Sequence, residues 1–335
     1  MMPTITLIIL NWNNWKDTVE CLESVYNINY PEFKVIVVDN GSEDESIEKI
    51  KEYCEGKLKV KSKFFKYNPE SKTIDIQEYP KESSSPNNPQ QLIIIANDDN
   101  YGFAGGNNIG MKFVLDNIPS EYVLLLNNDT VVDKDLLNHL VEPVLEDPAI
   151  GFVGPAVLYY DYKGSKNTIN FAGGKYNPWT GHVSHMELKK EYTSNLKSKY
   201  VDYLEASCVL VKTEMIKKIG MLNTQYFLYW EDNEWCMRGL RAGYKCYFQS
   251  KAKIWHKISV SSPHHNKIYY MGRNKFWFIK EYSTKLQLVL SVIYFIFLEF
   301  IPFSFYYGVY TAWYPEFIKC YFKGAIKGLK TNQKE

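Results

Sequence analysis

No C-x-x-C pair occurs among the six cysteines, Cys21, Cys54, Cys208, Cys236, Cys246 and Cys320, and no histidine tract accompanies them. Neither a zinc cluster nor a disulfide framework is encoded, so reduced thiols in a cytosolic compartment are expected. Charge of one sign is lacking too: 39 basic against 38 acidic side chains leave a formal net charge of +1. A general nucleic-acid binder needs a basic excess to displace counterions from phosphates, so no nucleic-acid partner is expected. The 19 glycines and 14 prolines follow no period, which excludes collagen-like, mucin-like and repeat architectures. The first apolar run stops at Asn11 with neither a basic flank nor a small-residue cleavage site, which predicts no secretory signal.

What is present suffices for a folded protein. A chain of 335 residues that is 45% hydrophobic can bury a core that offsets backbone ordering. Its length allows two or three modules, or one large α/β unit with an appendage. Thr4–Leu10 is a short unbroken apolar run ending in polar residues, and Lys34–Val38 before Asp39-Asn40-Gly41 repeats the arrangement. Both read as buried parallel strands followed by turns. Between them Thr18–Tyr26 has helical spacing with Thr18 as a cap, and Ser42 with Glu45 three residues on has a capping-box pattern before a second helix. Leu92–Ala96 and Tyr122–Leu126 continue the strand series around a helix at Gly105–Asn117, so a parallel sheet at least four strands wide is predicted, with helices on its faces. Residues 55–91, with the run Ser83-Ser84-Ser85-Pro86-Asn87-Asn88-Pro89, read as an inserted surface excursion without a site. Beyond Gly151, β-like runs at Gly151–Tyr160 and Val201–Lys212, a helix at Glu231–Ala242 and a strand near Tyr244–Phe248 should complete a cleft.

Ligands of open parallel sheets settle outside the carboxyl ends of the strands, where helix amino termini and loop amides converge. Asp39, the stretch Asn100–Asn108 and Asp129 all fall at such ends. Asp39 suits a base or ribose, or a plain turn. Four glycines in Asn100–Gly110 invite a dinucleotide reading, but their spacing is not G-x-G-x-x-G and they follow a later strand than the fingerprint requires; a tight turn with close helix packing competes. Asp129 suits Mg²⁺ or Mn²⁺ with substrate phosphates completing the oxygens, or a cap of the helix at Asp133–Glu146. Glu231, Asp232 and Glu234 stand in the first turn of a helix, where the dipole alone would favour them. Apolar neighbours Tyr229, Trp230 and Trp235 could raise a carboxylate's proton affinity and make it a base. His256 taken alone reads as structural.

Taken together, Leu7–Asn13, Val37–Ser42, Asn100–Gly110, Leu124–Thr130, Tyr229–Arg238, Trp255-His256 and Tyr269–Asn274 resemble the inverting glycosyltransferases of family 2, particularly the branch that contains rhamnosyltransferases. The resemblance spans about residues 1–282 apart from the insertion, and implies an α/β GT-A fold: a Rossmann-like nucleotide-binding half fused to an acceptor-binding half around a mostly parallel central sheet. It further implies that Asp39 contacts the nucleotide base, with Asn11, Asn13, Asn100, Gly105, Asn107, Asn127 and Asn128 on the donor side and Arg273 near the leaving group. Asp129 would ligate a divalent metal, Mg²⁺ or Mn²⁺, with His256 beside it. Asp232 would be the catalytic base with Glu231 next to it. One position departs from the family: its D-x-D element reads Asn127-Asn128-Asp129, and an amide can bond a ribose hydroxyl but holds cations poorly. The implied donor is of dTDP-rhamnose or UDP-hexose type. A non-catalytic sugar-nucleotide-binding subunit of a glycan assembly complex and an NAD-dependent oxidoreductase are the alternatives.

The carboxy-terminal segment, 283–335, reads as a membrane device. Leu286–Phe300 holds 15 residues with Glu299 as its one charge, ~22 Å as a helix and short of a ~30 Å hydrocarbon core. Continuing to Tyr314 adds Pro302 and Gly308, which suggests a bent or re-entrant element. From Phe317 on, Phe317, Ile318, Tyr321, Phe322, Ala325, Ile326 and Leu329 cover an arc of about 0–180°, with Glu316, Lys319, Lys323, Lys327 and Lys330 at about 200–280°. That separation predicts an interfacial helix whose lysines face anionic lipid at ~1 kcal/mol each, or else a helix packed on the catalytic domain. The positive-inside tendency then favours a peripheral or monotopic enzyme at the cytoplasmic face of the membrane, acting on a lipid-linked or glycan acceptor.

Overall fold

A computed structural model describes residues 2–67, 74–80, 92–257, 264–302, 305 and 314–331. The four apolar runs become parallel strands β1 (Ile5–Asn11), β2 (Phe33–Asp39), β4 (Leu92–Ala96) and β5 (Tyr122–Asn127), joined at the edge by an unexpected strand β3 (Ile76–Pro80), in the spatial order β3-β4-β2-β1-β5. β1, β2, β4 and β5 are buried nearly throughout because helices cover both faces. Those helices are α1 (Trp15–Tyr26), α2 (Ser46–Cys54) and α3 (Gly102–Asn117). Two glycines let α3 close on the sheet: a Cβ at Gly106 would sit 2.4 Å from Leu10 and one at Gly110 2.7 Å from Ile8.

The second half extends the same sheet. After β6 (Thr130–Val132) and α4 (Leu136–Glu146) come β7 (Ile150–Tyr159), β8 (Ile169–Phe171), the hairpin β9 (Gly174–Asn177) and β10 (His182–His185), β11 (Lys199–Val201) and β12 (Cys208–Lys212). Then follow α5 (Thr213–Ile219), α6 (Glu231–Arg241) and the long β13 (Lys245–His256). β12 lies antiparallel between β5 and β7, β13 runs parallel to β7, and β6 pairs with the far end of β13. Among the described residues the sheet has eleven strands around one continuous core.

Several expected boundaries move for local reasons. α1 begins at Trp15, so Thr18 lies inside it; its hydroxyl donates to the Asn11 side chain at 2.7 Å instead of capping the helix. The Ser42–Glu45 capping box does not form: α2 starts at Ser46, whose amide is satisfied by Asp44, and Ser42 turns to Asp39. α3 begins three residues before the expected Gly105. The expected run Val201–Lys212 splits into β11 and β12, and the last strand continues past Phe248 to His256. The expected surface excursion at 55–91 contributes β3 to the sheet edge, and its Phe64 packs against Tyr160 and Trp255 with ring centroids 4.9 and 4.8 Å away. The run Ser83–Pro89 and Gly308 lie outside the described residues.

At the carboxyl end come α7 (His264–Tyr282), α8 (Lys285–Tyr294), continued by a wide π turn over Phe295–Phe300, and α9 (Tyr314–Lys330). Of the two readings of α9, the structure shows the packed one for most of its apolar face. Its face with Tyr321, Ala325 and Leu329 packs on α7 and its neighbours, and glycines bring the two backbones together: a Cβ at Gly324 would lie 2.1 Å from the Tyr269 carbonyl oxygen and one at Gly328 2.3 Å from that of Arg273. An amphipathic pattern states that an apolar partner exists without saying whether it is lipid or protein. The exposed apolar face lies instead on α8 and its π turn, along Leu286, Val289, Ile293, Phe297 and Ile301. Glu299, the one charge of that segment, turns inward to the buried Lys275 at 2.5 Å. No helix among the described residues is long and apolar enough to cross a membrane.

Candidate active site

Strand register gathers the polar ends. Asn11 stands beside Asp39 across β1 and β2, and Leu10 stands beside Asn127 across β1 and β5. Asp39 is buried; its Oδ2 accepts from Asn11 Nδ2 at 2.6 Å and Ser42 Oγ at 2.7 Å, and its Oδ1 accepts from the Ser42 amide at 2.9 Å. A carboxylate offers about four acceptor positions, so Oδ1 can accept one further bond. Asn13, at φ 49°, accepts from the Glu43 amide at 2.7 Å and joins the β1 and β2 loops. Asn128 Nδ2 donates to Thr18 Oγ1 at 2.9 Å and to Asn11 Oδ1 at 3.3 Å, so Asn11, Asn13 and Asn128, three of the amides expected on the donor side, form one network with Asp39 through Ser42.

The glycine turn joins this network from β4. Asn40 Nδ2 donates to Asn100 Oδ1 at 2.9 Å and its Oδ1 accepts from Asn97 at 3.0 Å, while Asn100 Oδ1 also accepts the Gly102 amide at 2.9 Å. Gly105 packs on Tyr101, and Asn107 is buried with its amide donating to the Phe103 carbonyl. These two residues serve helix packing in this structure, the reading that competed with a pyrophosphate cradle.

Asp129 is buried after β5 and separated from α4 by β6, so it does not cap that helix. The β6–β13 pairing sets His256 opposite Thr130, and His256 Nε2 stands 3.0 Å from Asp129 Oδ1. Two residues 127 positions apart in sequence thus form one pair. Burial opposes the imidazolium, but the Asp129 carboxylate and then Glu205 outweigh it and hold His256 above its ordinary range. Its Nδ1 is buried without a hydrogen-bond partner. One carboxylate and one imidazole with an unsatisfied nitrogen suit Mg²⁺ or Mn²⁺ only if a ligand's phosphates and water complete the set. Among the described residues no cluster of three or more His, Cys, Asp or Glu side chains offers a metal a full protein cage.

α6 carries the carboxyl group opposite. Arg238 fastens the helix, bonding Glu234 bidentately at 2.9 and 2.7 Å and donating to the Ile219 and Met221 carbonyls. Glu231 is buried with Oε2 unpaired; burial, then the Asp232 charge, pushes it up to about 8. Burial also raises Asp232, against the opposing bonds from the Asn233 and Ala206 amides. Sequence reasoning missed Glu205, next to Ala206: burial and the Asp232 charge push it up to about 8, and His256 pulls it down. Glu205 therefore feels both Asp232 and the Asp129–His256 pair and links the two sides of the site. Its signal was available as a lone acid in the apolar stretch Leu204–Val211.

The loop that delivers Asp232 is strained. Phe227 (φ 60°, ψ −52°) centres a tight turn closed by Leu228 N to Tyr226 O at 2.7 Å, and Tyr229 and Trp230 have φ of 67° and 75°. Such conformations cost a non-glycine residue about 1–3 kcal/mol each. Arg273 is held at this loop: its Nη2 donates to the Gln225 and Tyr226 carbonyls at 3.1 and 3.2 Å, and its guanidinium stacks 4.1 Å from the Trp277 centroid.

A parallel nucleotide-type sheet, with a buried Asp–His pair and a cluster of raised carboxyls at its carboxyl ends, is the architecture of a GT-A glycosyltransferase. Solved structures share the fold. The mannosyltransferase PcManGT from Pyrobaculum calidifontis, in complex with GDP-Man and Mn²⁺, superposes with a TM-score of 0.59 over 98% of this chain and 88% of that one at 14% identity. S. aureus TarS 1-349 gives 0.55 over 97% and 81% at 16% identity. The family described as "Glycosyltransferase like family 2" matches residues 3–274, and the chain belongs to it. Among curated proteins it is 28% identical over 142 residues to the low-salt glycan biosynthesis hexosyltransferase Agl10 of Haloferax volcanii, covering 42% of this chain and 44% of that protein. It is 21% identical over 216 residues to the dTDP-rhamnosyl transferase RfbF of Shigella flexneri, covering 62% and 69%. The chain thus spans under half the length of the first of these relatives.

Proposed function

We propose that this protein transfers a sugar, with inversion, from a nucleotide diphosphate donor of dTDP-rhamnose or UDP-hexose type to a lipid-linked or glycan acceptor. The observation that carries the proposal is that Asp39 and the Asp129–His256 pair stand at the carboxyl ends of neighbouring strands of one sheet, while Glu205 interacts both with His256 and with Asp232 at the start of α6. Asp39 has an acceptor position left for a base or ribose donor. Asn11, Asn13 and Asn128 hold the loops around it in place. A divalent cation, held by Asp129 with His256 beside it, would stabilise the charge that grows on the leaving diphosphate. Asp232, ionised, removes the proton from the attacking acceptor hydroxyl. The acceptor oxygen bonds the anomeric carbon as the bond to the diphosphate breaks, and the bonding pair leaves with the nucleotide. Burial raises the proton affinity of Glu231 and Glu205 and so lessens the negative charge they bring near a phosphorylated donor.

The test is a panel of sugar nucleotides offered with Mn²⁺, with release of the nucleoside diphosphate as readout. Turnover of one or a few donors in preference to the rest is expected, together with melting shifts by UDP or dTDP and none by NADH. Stabilisation by NADH, with no sugar nucleotide turned over, would refute the proposal.

The exposed apolar face of α8 and its π turn supports attachment to the cytoplasmic face of the cell membrane, peripheral or monotopic, where a lipid-linked acceptor resides. Lys319, Lys323, Lys327 and Lys330 on the outer side of α9 supply charge complementary to anionic headgroups. Ile293→Glu with Phe297→Glu changes exposed positions only. It should leave the melting temperature nearly unchanged and abolish co-flotation with vesicles containing phosphatidylglycerol. Flotation equal to wild type would remove this face from membrane binding.

A further inference from the structure

Four carbonyls of the strained loop point to one side, toward α7. Besides the two bonds from Arg273, Asn274 Nδ2 reaches the carbonyls of Tyr226, Leu228 and Tyr229 at 2.8, 2.9 and 2.8 Å. Asn274 is fully buried, and its Oδ1 accepts from Arg273 Nε at 2.9 Å, which fixes the direction of the amide. An NH₂ group has two hydrogens, so three carbonyls converge on it only because the positive φ of Phe227 and Tyr229 turns them the same way. Trp230, also at positive φ, opens α6, and Glu231 and Asp232 follow at once. The loop's outer side meets the donor half: Phe227 packs on Gly102, where a Cβ would lie 2.9 Å from its ring, and Asn40 donates to the Gly102 carbonyl at 3.2 Å.

We infer that Asn274 is a positioning residue for Asp232: one buried amide holds the 226–230 loop in a strained form that sets the carboxyl-bearing end of α6 against the donor half of the cleft. The inference rests on the proposed transferase reading and deepens it. It also gives the terminal helices a part in the site. Tyr226 and Trp230 share a core with Phe276, Phe278, Phe295 and Ala325, and the close contacts at Gly324 and Gly328 seat α9 against the turns of α7 that carry Tyr269 and Arg273. A loop freed from Asn274 relaxes toward ordinary φ values and moves Asp232, and a displacement of about 1 Å can cost about 100-fold in rate.

Two variants test this, Asn274→Ala and the equally sized Asn274→Asp, which loses the paired donors. In either, kcat should fall about 10- to 100-fold while the Kd of UDP or dTDP with Mn²⁺ stays within about twofold. In an Asp232→Asn background the same changes should cost less than about threefold, because a residue that acts through Asp232 has nothing left to act on. Hydrogen exchange at 225–232 should speed up in both variants and stay slow in β1, β2 and β5. Unchanged exchange at that loop, an undiminished loss in the Asp232→Asn background, or nucleotide affinity falling in step with kcat would each overturn the inference, as would unfolding of both variants. The exchange readout needs no turnover, so failure of the transferase reading, seen as a wild type inert toward every sugar nucleotide, is distinguishable from failure of this one.

Discussion

Asp232→Asn is expected to lower kcat for sugar transfer by about 10²–10⁴-fold while leaving the Kd of the free nucleotide within about twofold. The amide keeps the size and the acceptor oxygen that bonds the Asn233 amide at 2.7 Å, so the start of α6 stays in place. What is lost is the ability to take a proton. Burial raises the Asp232 carboxyl above its ordinary range, and a base works only when ionised. The wild-type kcat/KM therefore rises with pH as Asp232 loses its proton, and falls as pH drops through that raised value. The acid limb should lie above that of an exposed aspartate, and no such limb should remain in the residual rate of the variant. A variant with wild-type kcat would take Asp232 out of the chemistry.

Asp129→Ala should weaken Mn²⁺-dependent nucleotide binding and lower kcat/KM by about 100-fold or more, while metal-free nucleotide binding changes little. Asp129 pairs with His256 at 3.0 Å. Asp39 and its partners Asn11 and Ser42 lie across the sheet ends and are untouched by the change. Titration calorimetry of UDP or dTDP with Mn²⁺ and with EDTA reads the two contributions separately. Equal affinity of wild type and variant in Mn²⁺ would show that the cation is held elsewhere.

Four strands of the nucleotide half, β1, β2, β4 and β5, were legible because each is a short apolar run ending in polar residues, and Leu92–Ala96 was placed to the residue; the edge strand β3, with the sequence Ile-Gln-Glu-Tyr-Pro, carries no such run and was read as part of a surface excursion. The start of α1 and the Ser42 capping box were misplaced because Thr18 and Ser42 bond Asn11 and Asp39, partners brought near only by the β1–β2 register. Local cap chemistry lost to the polar network of the site. The polar positions at the strand ends could be read one at a time, but the Asp129–His256 distance could not, since it depends on β6 pairing with the end of β13. For α9 the amphipathic pattern was legible but left lipid and protein open as partners, because the pattern of apolar residues is the same for both, and the close backbone approach at Gly324 and Gly328 is visible only in the folded chain. Asn274 lay within the quoted stretch Tyr269–Asn274, yet nothing local marks an asparagine as the holder of a loop some 45 residues away.

In the proposed transferase, Asp39, Asp129, His256 and Asp232 share one ligand site. Diffraction from a co-crystal with UDP or dTDP and Mn²⁺, collected at the manganese edge, locates that site directly. The account predicts an anomalous peak at coordination distance from the Asp129 carboxylate beside His256, with the diphosphate on it, the base at Asp39 and Asp232 facing the space beyond the phosphates. A nucleotide bound away from the carboxyl ends of β1, β2 and β5, or a manganese ion remote from Asp129, would contradict it.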